Sequence, residues 1–492
     1  MAEPKSFGQQ TAAARAKQKK GEPKKEVSWI KLIAAALVGV VIWFIPAPAG
    51  LEAQAWHMFA IFVATIVALI IKPMPMGAIA IVAIALCVLT GVTSLSDGLS
   101  GFSNSTIWLI VIAFFISRGF IKTGLGSRIA YLFVEKFGKK TLGLSYALTA
   151  TDLVLAPAMP SNTARAGGIV FPLVQSLSNT FKSRPDDGTA NRIGSFLHLT
   201  AYQVDMVTSA MFMTSMAANP LIVQLAAEAA GIEITWVGWI LASIVPGIIS
   251  LIVVPMVIYR LSTPEVKETP DASEMAKGKL AEMGPMTLPE KKMIVVFALI
   301  LVLWIAGSSI DLDATATGFI GLGVLLLSGV LTWDDVKSEK GAWDTLVWFS
   351  ALVMMAGQLN TLGMIPWFGD LMGGLVGGLN WIVTLLVLGL VYYFAHYLFA
   401  SQTAHVTAMY AAFLTVAVAA GAPPMLAALI LGFFSNLNGA LTHYACGPAP
   451  IFFGAGYVSQ GKWWSTGFVV SVVNIVIWML IGGVWWKVLG LW

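Results

Sequence analysis

The stretch MPSNTARAGG, residues 159–168, is a polar and charged interruption between two apolar runs, LGLSYALTATDLVLAPA and IVFPLVQSL. At membrane depth, non-helical backbone leaves N–H and C=O groups unpaired unless it lines a water-filled site. Such a string would therefore destabilise the protein if it had no function. We expect it to form the tip of a hairpin that carries a functional site.

The surrounding composition indicates a membrane protein. Of the 492 residues, 58% are hydrophobic and only 11% are charged, whereas a soluble domain carries about 25% charged residues. Apolar runs near the ~20 residues of a membrane-spanning helix recur along the chain. HExxH, GxSxG and P-loop motifs are absent from the sequence, and Cys87 and Cys446 lie far apart. We therefore expect no enzyme, no metal site, no cofactor and no nucleic-acid partner.

The positive charges predict how the chain crosses the bilayer. With about eleven spans, and with residues 141–180 and 381–420 entering and returning as re-entrant hairpins, all but two of the 29 Lys and Arg lie on one side, as the positive-inside rule requires. The exceptions are Lys487, an interfacial anchor, and Arg165 in the opening stretch. This arrangement places the N-terminus in the cytoplasm and the C-terminus outside. The basic segment 1–28 is expected to be a disordered cytoplasmic tail without a removable signal peptide.

The two halves of the chain match each other weakly. ALTATDLVLAPAMPSNTAR parallels LVYYFAHYLFASQTAH, so Ser161 and Ser401, and likewise Arg165 and His405, are about 240 residues apart, and such halves entering from opposite sides form an inverted repeat. The predicted divisions are a first repeat over 29–261, a charged cytoplasmic linker over 262–292 and a second repeat over 293–492.

The two tips carry groups suited to an anion. In each tip, the hydroxyls, the amides and the free N–H groups of the following helix would bind one carboxylate. If the two tips meet near the midplane, together they would hold both carboxylates of a small dianion. The predicted substrate-binding residues are Ser161, Asn162, Thr163, Ser401, Gln402 and Thr403.

Each half also has a polar break that contains proline within a long apolar helix, TSMAANP at 214–220 and THYACGPAP at 442–450. Proline removes a backbone donor, so both helices are expected to unwind and expose polar backbone groups. The residues predicted to line these breaks are Thr214, Ala218, Asn219, Pro220, Thr442, Gly447 and Pro448.

Ionisable residues within spans are functional candidates by default. The candidates for compensating the charge of a dianion are Arg165, His405 and His443. Asp152 and Asp205 are open to two interpretations, as partners of a bound cation or of Arg165. His396 faces an apolar run and is assigned a structural role.

SNT in the first half, SQT in the second, two hairpins and two Pro-broken helices resemble the divalent anion:Na⁺ symporter family. LAPAMPSNTARAGGIVFPL, FAHYLFASQTAHVTAMY and LTHYACGPAPIFFGAGYV are similar to its citrate/succinate and 2-oxoglutarate/malate translocator branch. The resemblance implies a homodimer in which a transport domain carrying both hairpins moves like an elevator against a scaffold domain. It also implies that the SNT and SQT residues bind the carboxylates.

The sequence departs from the sodium-coupled pattern at Gln402, where the family has Asn, and at Arg165 and His405 beyond the tips. Fixed cationic groups can replace sodium ions in offsetting substrate charge, and an empty carrier with unpaired charge moves with difficulty. We therefore predict a sodium-independent exchanger of dicarboxylates in a bacterial-type inner membrane, with a counter-substrate as its second ligand. Malate, succinate, 2-oxoglutarate, citrate and tartrate all carry the needed carboxylates. The alternatives are a sodium-coupled symporter, in which Na⁺ binds, and a channel or a receptor.

Overall fold

The structure is a computed structural model that describes residues 27–376 and 378–492, except for the side chain of Ser308. Within these residues every regular element is helical. An isolated β-bridge also pairs Lys140 with Glu268. The predicted all-helical class is confirmed. The predicted tail, residues 1–28, lies outside the described residues except for its last two positions.

The helices form two series joined by a linker. The first series is α1 (Trp29–Phe44), α2 (Ala53–Ile71), α3 (Met76–Leu89), α4 (Leu95–Gly98), α5 (Ser105–Thr123), α6 (Leu125–Phe137), α7 (Thr141–Leu155), α8 (Phe171–Thr180), α9 (Gly194–Met211), α10 (Ala218–Ala230) and α11 (Trp236–Leu261). The linker contains α12 (Pro270–Met283). The second series is α13 (Leu288–Ile310), α14 (Ala314–Leu327), α15 (Trp333–Ser338), α16 (Lys340–Thr361), α17 (Met364–Val376), α18 (Trp381–Ala395), α19 (Gln402–Ala419), α20 (Pro424–Leu437), α21 (Ala449–Gly454), α22 (Gln460–Val476) and α23 (Gly483–Val488).

Several of these helices suit a bilayer. Six helical segments in the described part of the chain are long and apolar enough to cross a membrane, and the bent pair of α16 and α17 would add a seventh. Large apolar side chains point outward, such as Leu327 at 91% exposure and Ile30 at 84%, as lipid-facing residues do. The chain is an integral membrane protein. The count of eleven spans and their directions stay predictions.

Both stretches predicted as hairpins consist of two helices separated by a non-helical break. After α7, a 3₁₀ turn and an extended residue lead to a π-helix over Thr163–Val170, which continues into α8. π-Helical turns are rare and occur frequently at functional sites. The hydroxyls of Ser161 and Ser401 accept hydrogen bonds from the N–H groups of Ala164 (3.1 Å) and Ala404 (3.3 Å), as helix-capping residues do. The two halves thus use the same cap at corresponding positions.

Residues 364–376, between α16 and the second hairpin, form α17, which turns from α16 by 63°. The spacing of Ile365, Phe368, Met372 and Leu375 is typical of one apolar helix face, so the sequence did carry this signal. α6 and α17 occupy corresponding places, each just before a hairpin.

The linker is bonded to the first half. The N–H of Thr269 donates to the carbonyl of Lys139 (2.8 Å), and the N–H of Thr141 donates to the carbonyl of Lys267 (3.0 Å). We call residues 265–290, which include these bonds, the linker strap. It holds the start of the first hairpin.

The far end of the linker strap is fixed by a buried ion pair. Nε of Arg128 on α6 lies 2.5 Å from Oε1 of Glu290, and Nη1 donates to the carbonyl of Gly284 at 3.0 Å. Thr287 caps α13 and also bonds to Glu290. α6, the strap and α13 are thereby joined at one point.

Candidate functional site at the hairpin tips

The tips of the two hairpins meet. Nδ2 of Asn162 donates to Oε1 of Gln402 at 3.2 Å. Nε2 of Gln402 in turn donates to the carbonyls of Ser435 (3.3 Å) and Asn436 (2.9 Å), at the end of α20. Asn162 and Gln402, predicted tip residues of the first and second repeats, therefore lie in contact and buried, whereas the four serine and threonine residues of the tips are half-buried.

The first tip also contacts the second helix break. A Cβ atom added to Gly447 would lie 2.0 Å from Oγ1 of Thr163, which is far inside van der Waals contact. Glycine is needed here because the backbone of the break approaches the Thr163 side chain so closely.

Replacing Gly447 by alanine is expected to slow the transport that the sequence predicts about 10- to 100-fold, because the methyl group must displace Thr163 from the tip. Gly454→Ala is the matched control, since a Cβ atom at Gly454 meets nothing within 4 Å. Uptake of labelled substrate by proteoliposomes measures both. Equal rates in the two variants would contradict the contact.

The first helix break separates α9 from α10. Nδ2 of Asn219 donates to the carbonyls of Ser209 (2.8 Å) and Phe212 (3.0 Å) at the end of α9. The hydroxyl of Thr214 donates to the carbonyl of Pro157 at 2.7 Å and so ties the break to the first hairpin. The neighbouring predicted residues, Ala218 and Pro220, are buried at the start of α10.

The second break, between α20 and α21, joins the first through an amide pair. Nδ2 of Asn436 donates to Oδ1 of Asn219 at 2.7 Å. The hydroxyl of Thr442 is buried and has no hydrogen-bond partner among the described residues, and Pro448 caps the start of α21. Both breaks and both tips thus converge, as the inverted repeat predicts.

Arg165 is fully buried and directs its N–H groups at the protein. Nε donates to Oδ1 of Asp152 (2.9 Å), and Nη2 donates to Oδ1 of Asp205 (2.7 Å). Nη1 donates to the carbonyls of Met159 (3.0 Å) and Ser215 (2.9 Å). The open assignment of the two aspartates is thereby decided in favour of Arg165.

This arrangement corrects the predicted role of Arg165. A guanidinium has five N–H groups, and with Ser209 Oγ accepting from Nη2 at 2.9 Å all of them have protein partners. Its charge also faces two carboxylates. Arg165 therefore acts by fixing the first hairpin to α9 and its break, not by presenting free charge to a substrate.

His443, also predicted to compensate substrate charge, packs among aromatic side chains. Its Nδ1 accepts a hydrogen bond from Nε1 of Trp464 at 3.0 Å. Its charge compensation stays a prediction. The described contacts of His443 are to Trp464, Tyr444 and Phe453, away from the tips.

His405 is buried among rings rather than exposed to the tip. Its ring centroid lies 4.4 Å from that of Tyr392 and 5.1 Å from that of His396. Nδ1 lies 3.0 Å from the side-chain amide of Asn438, at the start of the second break. The charge compensation by His405 stays a prediction.

His396, assigned a structural role from sequence, contacts the second break directly. Its Nε2 lies 3.0 Å from the carbonyl oxygen of Ala445. Equivalent positions of the two repeats offer a way to find contacts of this kind. Asp152 and Tyr392 are as far apart in sequence as Arg165 and His405. Asp152 contacts Arg165 in the first half, and Tyr392 contacts His405 in the second.

Comparisons with known proteins agree with this architecture. The model of the family described as sodium:sulfate symporter transmembrane region matches residues 26–492. YflS, a candidate malate transporter of Bacillus subtilis (strain 168), is 62% identical over 97% of this chain and 100% of its own. Dicarboxylate transporter 1 of Spinacia oleracea chloroplasts is 49% identical over 96% of this chain and 83% of its own.

A solved structure supports the fold. The crystal structure of the YdaH transporter of Alcanivorax borkumensis superimposes with a TM-score of 0.53 at 11% sequence identity, covering 79% of this chain and 86% of that one.

Inner membrane protein YbhI of Escherichia coli (strain K12) is 39% identical over 94% of this chain and 98% of its own. The relatives named here are transporters and a membrane protein, not enzymes.

Proposed function

Because this chain belongs to the family of sodium:sulfate symporter transmembrane regions, we propose that it is a secondary transporter of dicarboxylates. The relatives named for malate and dicarboxylate transport support this substrate class. So do the two tips, which bring hydroxyl and amide groups from both repeats together around the Asn162–Gln402 contact. C4 and C5 acids such as malate, succinate and 2-oxoglutarate are the substrates, with citrate and tartrate as further candidates.

We further propose that the transporter exchanges one dicarboxylate for another without sodium. Unwound carbonyls at broken helices are the usual sodium ligands in transporters of this architecture. Here Arg165 donates to the carbonyls of Met159 and Ser215, and Gln402 donates to those of Ser435 and Asn436. Protein N–H groups thus already bind these four carbonyls near the tips and breaks, which is the observation that carries the proposal.

One observation favours the sodium-coupled alternative. Oδ1 of Asn436, Oδ1 of Asn438 and the hydroxyl of Thr442 are buried without hydrogen-bond partners in the described part of the chain. Oxygens of this kind can bind a cation at the second break. In that case the second half alone would hold Na⁺.

Proteoliposomes containing the purified protein separate the two functions. We expect uptake of labelled malate to require unlabelled dicarboxylate inside the vesicles and to be equal in sodium and potassium media. Protein-free vesicles are the control. Uptake that is driven by a sodium gradient into vesicles without internal dicarboxylate would reject exchange and establish symport.

The remaining architecture is proposed on the resemblance to the family. In a homodimer, the hairpins and broken helices form a transport domain that moves like an elevator against a scaffold domain. The membrane is a bacterial-type inner membrane, with the N-terminus in the cytoplasm and the C-terminus outside.

A further inference from the structure

The cluster around Arg165 has one acidic group more than it has basic groups. The titratable groups that face Asp205 are Arg165 from the π-helix, Asp152 from α7, Tyr202 from its own helix and Cys446 from the second break. The hydroxyl of Tyr202 donates to a backbone carbonyl rather than to a carboxylate. If both aspartates are ionised, one guanidinium leaves a net negative charge among residues that are at most 1% exposed.

An uncompensated charge is costly at this depth. Removing one partner from a buried ion pair strongly destabilises a protein, because the remaining charge has neither water nor a counter-ion. The same holds for an ionised group within the hydrocarbon region. The surplus charge therefore requires a positive ligand.

The two carboxylates differ in how their oxygens are used. Asp152 accepts from Arg165 on Oδ1 and from the hydroxyl of Thr208 on Oδ2. Asp205 accepts from Arg165 on Oδ1, whereas its Oδ2 is buried and has no hydrogen-bond partner among the described residues. The positive ligand therefore belongs on Oδ2 of Asp205.

The surroundings of Oδ2 select a proton over a metal cation. Cations such as Ca²⁺ and Mg²⁺ are held by a shell of several oxygens, often from more than one carboxylate, but the described residues contain no group of three or more His, Cys, Asp or Glu placed to hold a metal ion. A neutral carboxyl group that lacks a partner is less costly than an ionised one that lacks a partner. A proton needs no further ligands.

We propose that Oδ2 of Asp205 is a proton-binding site of this transporter. With the proton bound, Arg165 and Asp152 form a neutral pair and the cluster has no net charge. The first hairpin can then move through the membrane without carrying an unpaired carboxylate. This consequence for movement rests on the proposed transport function, whereas the presence of the proton does not.

Infrared spectroscopy of the full chain in lipid vesicles tests the proposal. In D₂O at neutral pH we expect the carbonyl stretching band of a protonated carboxyl group in the wild type and its loss in Asp205→Asn. Asp344→Asn, which changes an exposed carboxyl group, is the control and should keep the band. A wild-type spectrum without the band, or a band that survives in Asp205→Asn, would overturn the proposal.

A second variant keeps the test decisive if Asp205→Asn does not fold. In Asp152→Asn a single carboxylate faces a single guanidinium, so the surplus charge disappears and the band should be lost there too. A band unchanged in a folded Asp152→Asn protein would refute the charge balance. The infrared result does not depend on transport, so a failed exchange assay with the band present would reject the proposed function alone.

Discussion

Replacing Arg165 by alanine is expected to abolish dicarboxylate exchange and to lower the free energy of unfolding by about 3–5 kcal/mol. The substitution leaves the carboxylates of Asp152 and Asp205 buried without a counter-ion. It also frees the carbonyls of Met159 and Ser215, which then have no donor. The first hairpin would lose its attachment to the helix break.

Exchange in proteoliposomes and thermal unfolding in detergent measure the two effects. Arg260→Ala, which removes an exposed arginine at the end of α11, is the control and should behave as the wild type. Arg165→Lys should also lose at least about tenfold in exchange, because an ammonium group cannot reproduce the planar set of five donors. An Arg165→Ala protein that melts and exchanges like the wild type would eliminate the role assigned to this residue.

The second large effect is expected at the linker strap. Replacing Glu290 by alanine should destabilise the protein by about 3–5 kcal/mol, because it leaves Arg128 buried without its carboxylate. The two side chains are only 8% and 1% exposed. The melting temperature of the purified protein measures the loss.

Glu268→Ala is the matched control for this variant. Glu268 also pairs with a basic residue, Lys140, but at 3.8 Å and with side chains 69% and 73% exposed. An exposed pair of this kind contributes about 0–1 kcal/mol. Similar melting temperatures for Glu290→Ala and Glu268→Ala would mean that the strap is not fixed by the ion pair.

The parts of the site that the sequence predicts are those with local signals. The polar tips and the breaks that contain proline act on the backbone nearest to them, so Asn162, Gln402 and Gly447 could be named as candidates before any coordinates. The class of the fold followed from composition in the same way. These signals depend on a few neighbouring residues.

The sequence left the partners of the buried aspartates open between Arg165 and a bound cation. Asp152, Asp205 and Arg165 lie on three different segments, and only their packing decides that they form one cluster. The same reason explains the histidines. A ring in an apolar run can contact a break, a layer of aromatic side chains or both. His396 contacts the carbonyl of Ala445 in the second break, whereas His405 contacts Asn438 there and also packs against Tyr392.

The contact between Asn162 and Gln402 also sets an order of events during synthesis. The two residues are 240 positions apart, so at about 5–20 residues per second the second tip leaves the ribosome roughly 10–50 s after the first. During that interval the first tip has polar groups but not the partner that completes the site. The newly made first half must therefore wait in the membrane with an unfinished polar surface, which makes this interval the stage at which translocon and chaperone help matters most.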